Sequence, residues 1–208
     1  MLTETPVSRA ARGGLARDVP ICALTFDDGP NGPDTLRLLD FLRERRIRAV
    51  FAVIGEEILK PGGADVLRRI VADGHVLCHH STSFADMGDW DALTVRDDML
   101  RGLAIIEEAT GDAAPVPYWR APNGSWGVTA PVAVRLGMQP LAVTGTIGDW
   151  EEQDAEVLAE RLRAVMEPGA VVLVHDGGGD RAGTIDAVIE VVDDRLGQGW
   201  QFVLPEMP

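Results

Sequence analysis

Cysteine is scarce in this chain. Its two copies, Cys22 and Cys78, both lie inside apolar, strand-like segments, so no disulfide framework is predicted and both read as buried free thiols. Positive charge is also short, with 19 Lys and Arg against 33 Asp and Glu, a net charge of -14. Such a field repels nucleic acid and anionic membrane surfaces, so neither is expected as a partner, and a neutral or cationic substrate suits it better. No apolar run approaches membrane-spanning length. Residues 1–20 hold three Arg but no apolar segment of the kind a secretory signal needs. The expectation is a soluble cytoplasmic protein, with residues 1–19 as a flexible leader and 20–208 as a single domain. No internal repeat, low-complexity tract or Gly-x-Gly-x-x-Gly stands out. Gly177-Gly178-Gly179 has no Lys following in register, so it reads as a flexible loop able to move over a site and not as a phosphate loop.

What is present is a regular alternation of strand-like and helix-like segments in a chain that is 46% hydrophobic. Strands are predicted at 21–27, 48–54, 76–80, 117–121, 139–144, 170–174 and 201–204. Helices are predicted at 34–46, with Leu36, Leu39 and Leu42 at core spacing, and at 64–72, 93–110, 127–136, 154–166 and 184–196. Gly74 and Gly111 stand where helices stop. Alternation of this kind implies parallel strands joined by right-handed crossovers. Without a phosphate-loop signature, an α/β barrel of (β/α) type is preferred over a doubly wound sheet.

Polar chemistry collects at the strand ends. Ala23-Leu24-Thr25-Phe26 runs into Asp27-Asp28-Gly29-Pro30, His79-His80-Ser81 closes the third strand, and Arg120 ends the fourth. Asp149-Trp150 follows the next, and His175-Asp176 terminates Val171-Val172-Leu173-Val174. Taken alone, Asp-Asp-Gly-Pro reads equally well as an ordinary turn, because Asp, Gly and Pro favour turns for local reasons. Five such groups at the C-terminal end of a barrel fit the face where barrel active sites lie. Side-chain alternation predicts that Asp27 and Asp28 leave the strand in different directions. Trp119, Trp126 and Trp150 are candidates for stacking on a sugar ring, with at least one of them in the core.

These motifs resemble those of the NodB-homology polysaccharide deacetylases, carbohydrate esterase family 4, over most of residues 20–205. Thr25-Phe26-Asp27-Asp28-Gly29-Pro30 is identical to that family's first motif. Gly74-His75 through His80-Ser81 looks like the second, and Arg120-Ala121-Pro122-Asn123-Gly124 like the third. Asp149-Trp150 looks like the fourth, and Leu173-Val174-His175-Asp176 like the fifth. The resemblance implies a distorted (β/α)7 barrel of NodB type. It also implies roles: Asp27 as the base that activates water, Asp28 and His80 as ligands to a divalent metal, with zinc the expected ion, and Arg120 holding Asp27 ionised. His175 would protonate the leaving amine and Asp149 would hold His175. The Asn123 backbone N–H would meet the oxyanion, Leu173 would line the acetyl-methyl pocket, and Trp150 would contact substrate. The implied partner is a small soluble N-acetylated substrate of amino-sugar type.

One departure stands out. The family's second motif is His-Ser/Thr-x-x-His, and here it reads His80-Ser81-Thr82-Ser83-Phe84, so an aromatic replaces the second imidazole. His79 is expected on the opposite side of the strand, and Asp86 would need a shifted loop to replace it. Metal-independent allantoinase-like and cyclic-imide hydrolases of the same fold also carry an aromatic there, and they form the alternative reading. A non-catalytic ligand-binding relative is the third, although it would have no need of Asp27, Arg120 and His175 together.

Overall fold

The computed structural model describes residues 1–111 and 114–207. Among these residues lie eight strands: β1 (Ile21–Gly29), β2 (Val50–Val53), β3 (Val76–His79), β4 (Tyr118–Trp119), β5 (Gln139–Pro140), β6 (Gly145–Thr146), β7 (Val171–His175) and β8 (Gln201–Phe202). Hydrogen bonding follows the order β5-β4-β3-β2-β1-β7-β6, all parallel, with β8 off this path against the start of β1. Seven helices connect them: α1 (Gly32–Arg45), α2 (Gly55–Leu59), α3 (Gly63–Ala72), α4 (Ala92–Thr110), α5 (Thr129–Arg135), α6 (Ala155–Val165) and α7 (Ala182–Gly197).

The central strands are buried on both faces, which is why they read as unbroken apolar runs. Leu24, Phe26, Phe51, Val53, Val172 and Val174 pack outward in one cluster with helix residues such as Leu38, Leu42, Leu67, Leu158 and Val188. Ala23, Val50, Ala52, Cys78, Tyr118 and Val171 form a second cluster on the inward face. The sheet curls into a seven-strand half-barrel, the α/β architecture of (β/α)7 type expected from the sequence. On α1 the core stripe is Thr35, Leu38, Leu39 and Leu42, while Leu36, expected in the core, is 38% exposed. Both cysteines are free and buried as predicted.

Of the expected strand at 139–144 only Gln139–Pro140 forms, as β5, and the next strand, β6, begins at Gly145 on the opposite edge of the sheet. Pro140 has no N–H to extend the ladder, and residues 141–144 carry the chain across the opening, with Leu141 N–H bonded to Trp119 O and Thr144 N–H to Val171 O. The segment 1–19, read from the sequence as a leader, lies along this region. Val7 makes a parallel bridge to Leu141, Ala10 bridges Pro205, and the Gln139 amide donates to the carbonyls of Thr3 and Thr5. Among the described residues no helix is long and apolar enough to cross a membrane.

His79 shows how the third strand end is fixed. Its ring points into the packing against α4, as alternation predicts, with Ser81 N–H donating to Nδ1 and Nε2 bonded to Met99 O. Burial lowers its pKa to about 4, so the ring is a neutral structural group. A Cβ added at Gly102 would run into this ring. Gly102→Ala should therefore destabilise the protein by about 1–3 kcal/mol, the usual cost of overpacking a core. Urea unfolding would measure it, and an unchanged midpoint would show that α4 yields freely.

Candidate active site

The inward side of β1 carries Ala23, Thr25 and Asp27, so Asp27 points into the barrel mouth by simple alternation. The same alternation would send Asp28 toward the helices. It does not, because the register slips at this point: Asp27 pairs with Ala52 and Gly29 with Val53, leaving Asp28 as the extra residue of a bulge at φ 71. A bulge re-aims a side chain, and both carboxylates line one cleft. Gly29 is required next to them for space, since a Cβ there would meet the Asp176 carboxylate.

Asp27 is 2% exposed, and its Oδ1 accepts from Arg120 Nη1 at 2.5 Å. The same nitrogen lies 2.9 Å from Thr25 Oγ1, and Arg120 Nε donates to Leu141 O at 3.1 Å. The guanidinium is thus locked from both sides, and the buried charge of Asp27 is compensated. His80 Nδ1 bonds the Arg120 carbonyl at 2.8 Å, which turns Nε2 toward Asp27 Oδ2 at 3.6 Å and Asp28 Oδ1 at 3.5 Å. Burial raises Asp28 above the ordinary carboxylate value, partly offset by His80.

Across the cleft, His175 Nδ1 bonds Asp149 Oδ1 at 2.8 Å and its backbone N–H bonds Asp149 Oδ2 at 2.7 Å. Nε2 then faces Asp28 Oδ2 at 3.9 Å. Burial alone would lower the His175 imidazole, but the Asp149 hydrogen bond and charge, with Asp27 and Asp28 nearby, raise it above the usual histidine value. Asp149 is fully buried, which would raise its carboxyl, yet the hydrogen bonds from His175 bring it below the ordinary value. Each member of the pair therefore favours the charged form of the other.

The cleft has a volume of about 690 Å³, and Asn123, Leu173, Trp150 and Trp126 line it together with the groups above. Asn123 sits at φ 56 in the turn Pro122–Gly124. Trp150 packs edge-on against His175 with centroids 5.6 Å apart, while Trp119 is wholly buried in the core. His75, part of the second motif, lies just before β3 and accepts from Ala49 N–H, away from the mouth. Asp86 accepts from Gly88 N–H at the surface and does not line the cleft. The loop 177–179 is not free to swing: Gly177 O and Gly178 O accept from Arg181, and Gly179 O from Asn31.

Two residues with a place here were given no role by the sequence reading. Asp176 is fully buried, accepts from Thr35 Oγ1 at 2.5 Å, and is pushed up to about 7 by burial. Its position directly after His175 was the available signal. Arg181, 5% exposed, binds the Asp149 carbonyl through Nη1 at 2.6 Å. Nothing local distinguishes it from a surface arginine at a helix start.

The divalent metal implied by the resemblance requires a donor set. Asp28 and His80 present two donors 3.5 Å apart, and Asp27 is committed to Arg120. Among the described residues no group of three His, Cys, Asp or Glu is arranged to hold a metal. Phe84, at the place of a third ligand, lines the cleft with carbon only. Catalytic zinc ordinarily takes three protein ligands, so these residues do not fit a tightly held resident zinc. Calorimetric titration of the dialysed protein with zinc should detect weak binding at most, and near-stoichiometric metal retained through dialysis would contradict this.

The chain matches the family model described as polysaccharide deacetylase over residues 16–141. It is 33% identical over 156 residues to a chitooligosaccharide deacetylase of Bradyrhizobium sp. (strain ANU 289), covering 74% of this chain and 69% of that protein. The peptidoglycan N-acetylglucosamine deacetylase Bc1960 superposes with a TM-score of 0.83 at 24% identity, covering 97% of this chain and 90% of that one. BA3943 of Bacillus anthracis, described as a carbohydrate esterase family 4 pseudoenzyme, superposes equally well, with a TM-score of 0.83 at 22% identity over 97% of this chain and 67% of that one. At the identities of these two structures the likeness is one of fold, shared by a protein described as a deacetylase and one described as a pseudoenzyme.

Proposed function

Because the chain belongs to the polysaccharide deacetylase family, we propose that it hydrolyses the N-acetyl amide of N-acetylglucosamine-type units, releasing acetate and a free amine. The observation that carries this reading is the pair of carboxylate-linked groups facing one cleft, Asp27 bound to Arg120 and His175 bound to Asp149. A non-catalytic binding protein would bury these charges at a cost and without a use. The Bradyrhizobium relative is named for a chitooligosaccharide and Bc1960 for peptidoglycan. The substrate class proposed is therefore an oligosaccharide-borne unit, with a free soluble amino sugar as its smallest case.

In this mechanism Asp27 takes a proton from water, and the resulting hydroxide attacks the acetyl carbonyl carbon. Proton transfer by a positioned side chain of this kind contributes about 10²–10⁴ in rate. The carbonyl π electrons move to oxygen, where the Asn123 backbone N–H meets the oxyanion. As the C–N bond breaks, the imidazolium of His175 gives its Nε2 proton to the departing nitrogen. Nδ1 stays bonded to Asp149, so the ring holds the orientation that delivery requires. Leu173 offers an apolar wall to the methyl, and Trp150 closes the side of His175. No step is assigned to a metal, since the donor set does not fit one.

Acetate release from N-acetylchitooligosaccharides, measured with and without chelator, tests the proposal. Turnover lost in both Asp27→Asn and His175→Ala is expected. Phe84 in the cleft favours a second reading, a metal-independent cyclic-imide or allantoin hydrolase. Turnover of allantoin or a cyclic imide in place of acetate release would establish that reading. Saturable sugar binding with no turnover of either would leave a binding protein.

A further inference from the structure

Arg181 is a cation shut away beside the site. It is 5% exposed and forms no ion pair within 4 Å among the described residues, although the carboxylates of Asp28 and Asp149 lie near enough to feel its charge. A buried charge left in this state is normally costly, yet this one is bound at every side of its fork. Nε donates to Gly177 O at 2.7 Å, Nη1 to Asp149 O at 2.6 Å and Nη2 to Gly178 O at 3.2 Å. Its own backbone N–H donates to Asp34 Oδ2 at 3.0 Å, a carboxylate that also accepts from Asn31, whose amide holds Gly179 O. One side chain thus joins two separate strand-end loops. The first carries Asp149 and Trp150 after β6, and the second follows His175 at the end of β7.

We infer that Arg181 is a positioning residue for the acid side of the reaction, tying the Asp149 turn to the loop after His175 so that the two ends of the His175–Asp149 bond keep one fixed separation. The inference rests on the deacetylase reading for its kinetic test, but the geometry it describes does not. Three planar donors reaching three carbonyls is a task for a guanidinium; an ammonium is a single point and cannot span them. Gln153 reinforces the same turn, donating to Asp149 O and to Thr184 Oγ1, so the fold of the loop survives partial loss of the fork. The lost quantity in a lysine variant is orientation, and small misplacements of reacting groups cost up to about 10²-fold in rate.

The test compares Arg181→Lys and Arg181→Met with the parent on an N-acetylchitooligosaccharide. In Arg181→Lys, kcat should fall about 10- to 100-fold with KM held within about twofold, as lost orientation requires. Thermal unfolding should change little, and Arg181→Met should fall further in both. A lysine variant with parental kcat, or one whose loss lies wholly in KM or in thermal stability, would overturn the inference. Nitrogen-15 NMR of the histidines reads the same point without turnover. The His175 Nδ1–H signal should move in Arg181→Lys while the Nε2–H signal of His79, bonded to Met99 O, stays in place. An unmoved His175 signal overturns the inference even if the parent proves inactive on every N-acetylated sugar, a result that would sink the deacetylase reading separately.

Discussion

Asp27→Asn should remove acetate release to within background and at the same time destabilise the fold. The two effects have different origins. Asparagine cannot accept the proton of water as a base, which removes a contribution of about 10²–10⁴ in rate. It also leaves the Arg120 guanidinium, 4% exposed, without its anionic partner. Breaking one side of a buried pair costs about 3–5 kcal/mol, because the remaining charge is uncompensated. Thermal unfolding and acetate assays on Asp27→Asn alone and on Asp27→Asn with Arg120→Met separate the two. Removing the orphaned cation should recover much of the stability and none of the activity. Recovery of activity in the double variant would exclude Asp27 as the base.

Asp149→Asn carries the second large effect. The carboxylate orients the ring and favours the protonated imidazole. In the template case of an Asp-oriented catalytic His, the same replacement costs about 10⁴ in kcat through the wrong tautomer. A comparable loss with an almost unchanged KM is expected here. The pH dependence has a definite sign. With Asp149 present, the His175 pKa is raised, so the protonated acid persists above the ordinary histidine value and the alkaline limb of activity lies there. Without Asp149, the hydrogen bond and charge that oppose burial most directly are gone, so the limb must move to lower pH. The same linkage contributes stability. The raised His175 gives stability that is fully present below its unfolded value of about 6.5 and is lost as pH rises through the folded value. The lowered Asp149 gives stability present above its unfolded value of about 3.9 and lost as pH falls through the folded one. A limb that stays put or moves to higher pH in Asp149→Asn would mean that another group supplies the proton.

The strand ends were legible because a parallel barrel places them on one face, and Asp27, His80, Arg120 and His175 line one cleft there with Asp149 buried behind His175. The destination of Asp28 was not legible. Period-two alternation is a rule about regular strands, and a one-residue bulge at φ 71 reverses its outcome. The Gly-rich loop read as mobile for a similar reason, since composition reports the freedom of isolated backbone and Arg181 removes that freedom from outside. The two-residue strands β5 and β6 carry too few side chains to show any period.

The sequence by itself determined which polar groups stand at the strand ends and the order in which the strands deliver them, because motif identity and hydrophobic period are local properties of the chain. It also carried the gap in the metal set, since Phe84 supplies no donor wherever it sits. Which donors meet, and at what distance, was decided only by tertiary structure. Asp28 reaches His80 through a bulge, Asp149 reaches His175 across 26 residues of chain, and Arg181 reaches Asp149 across 32. Each of these contacts joins segments whose separation is set by the packing of other elements, so nothing in the residues beside them announces it.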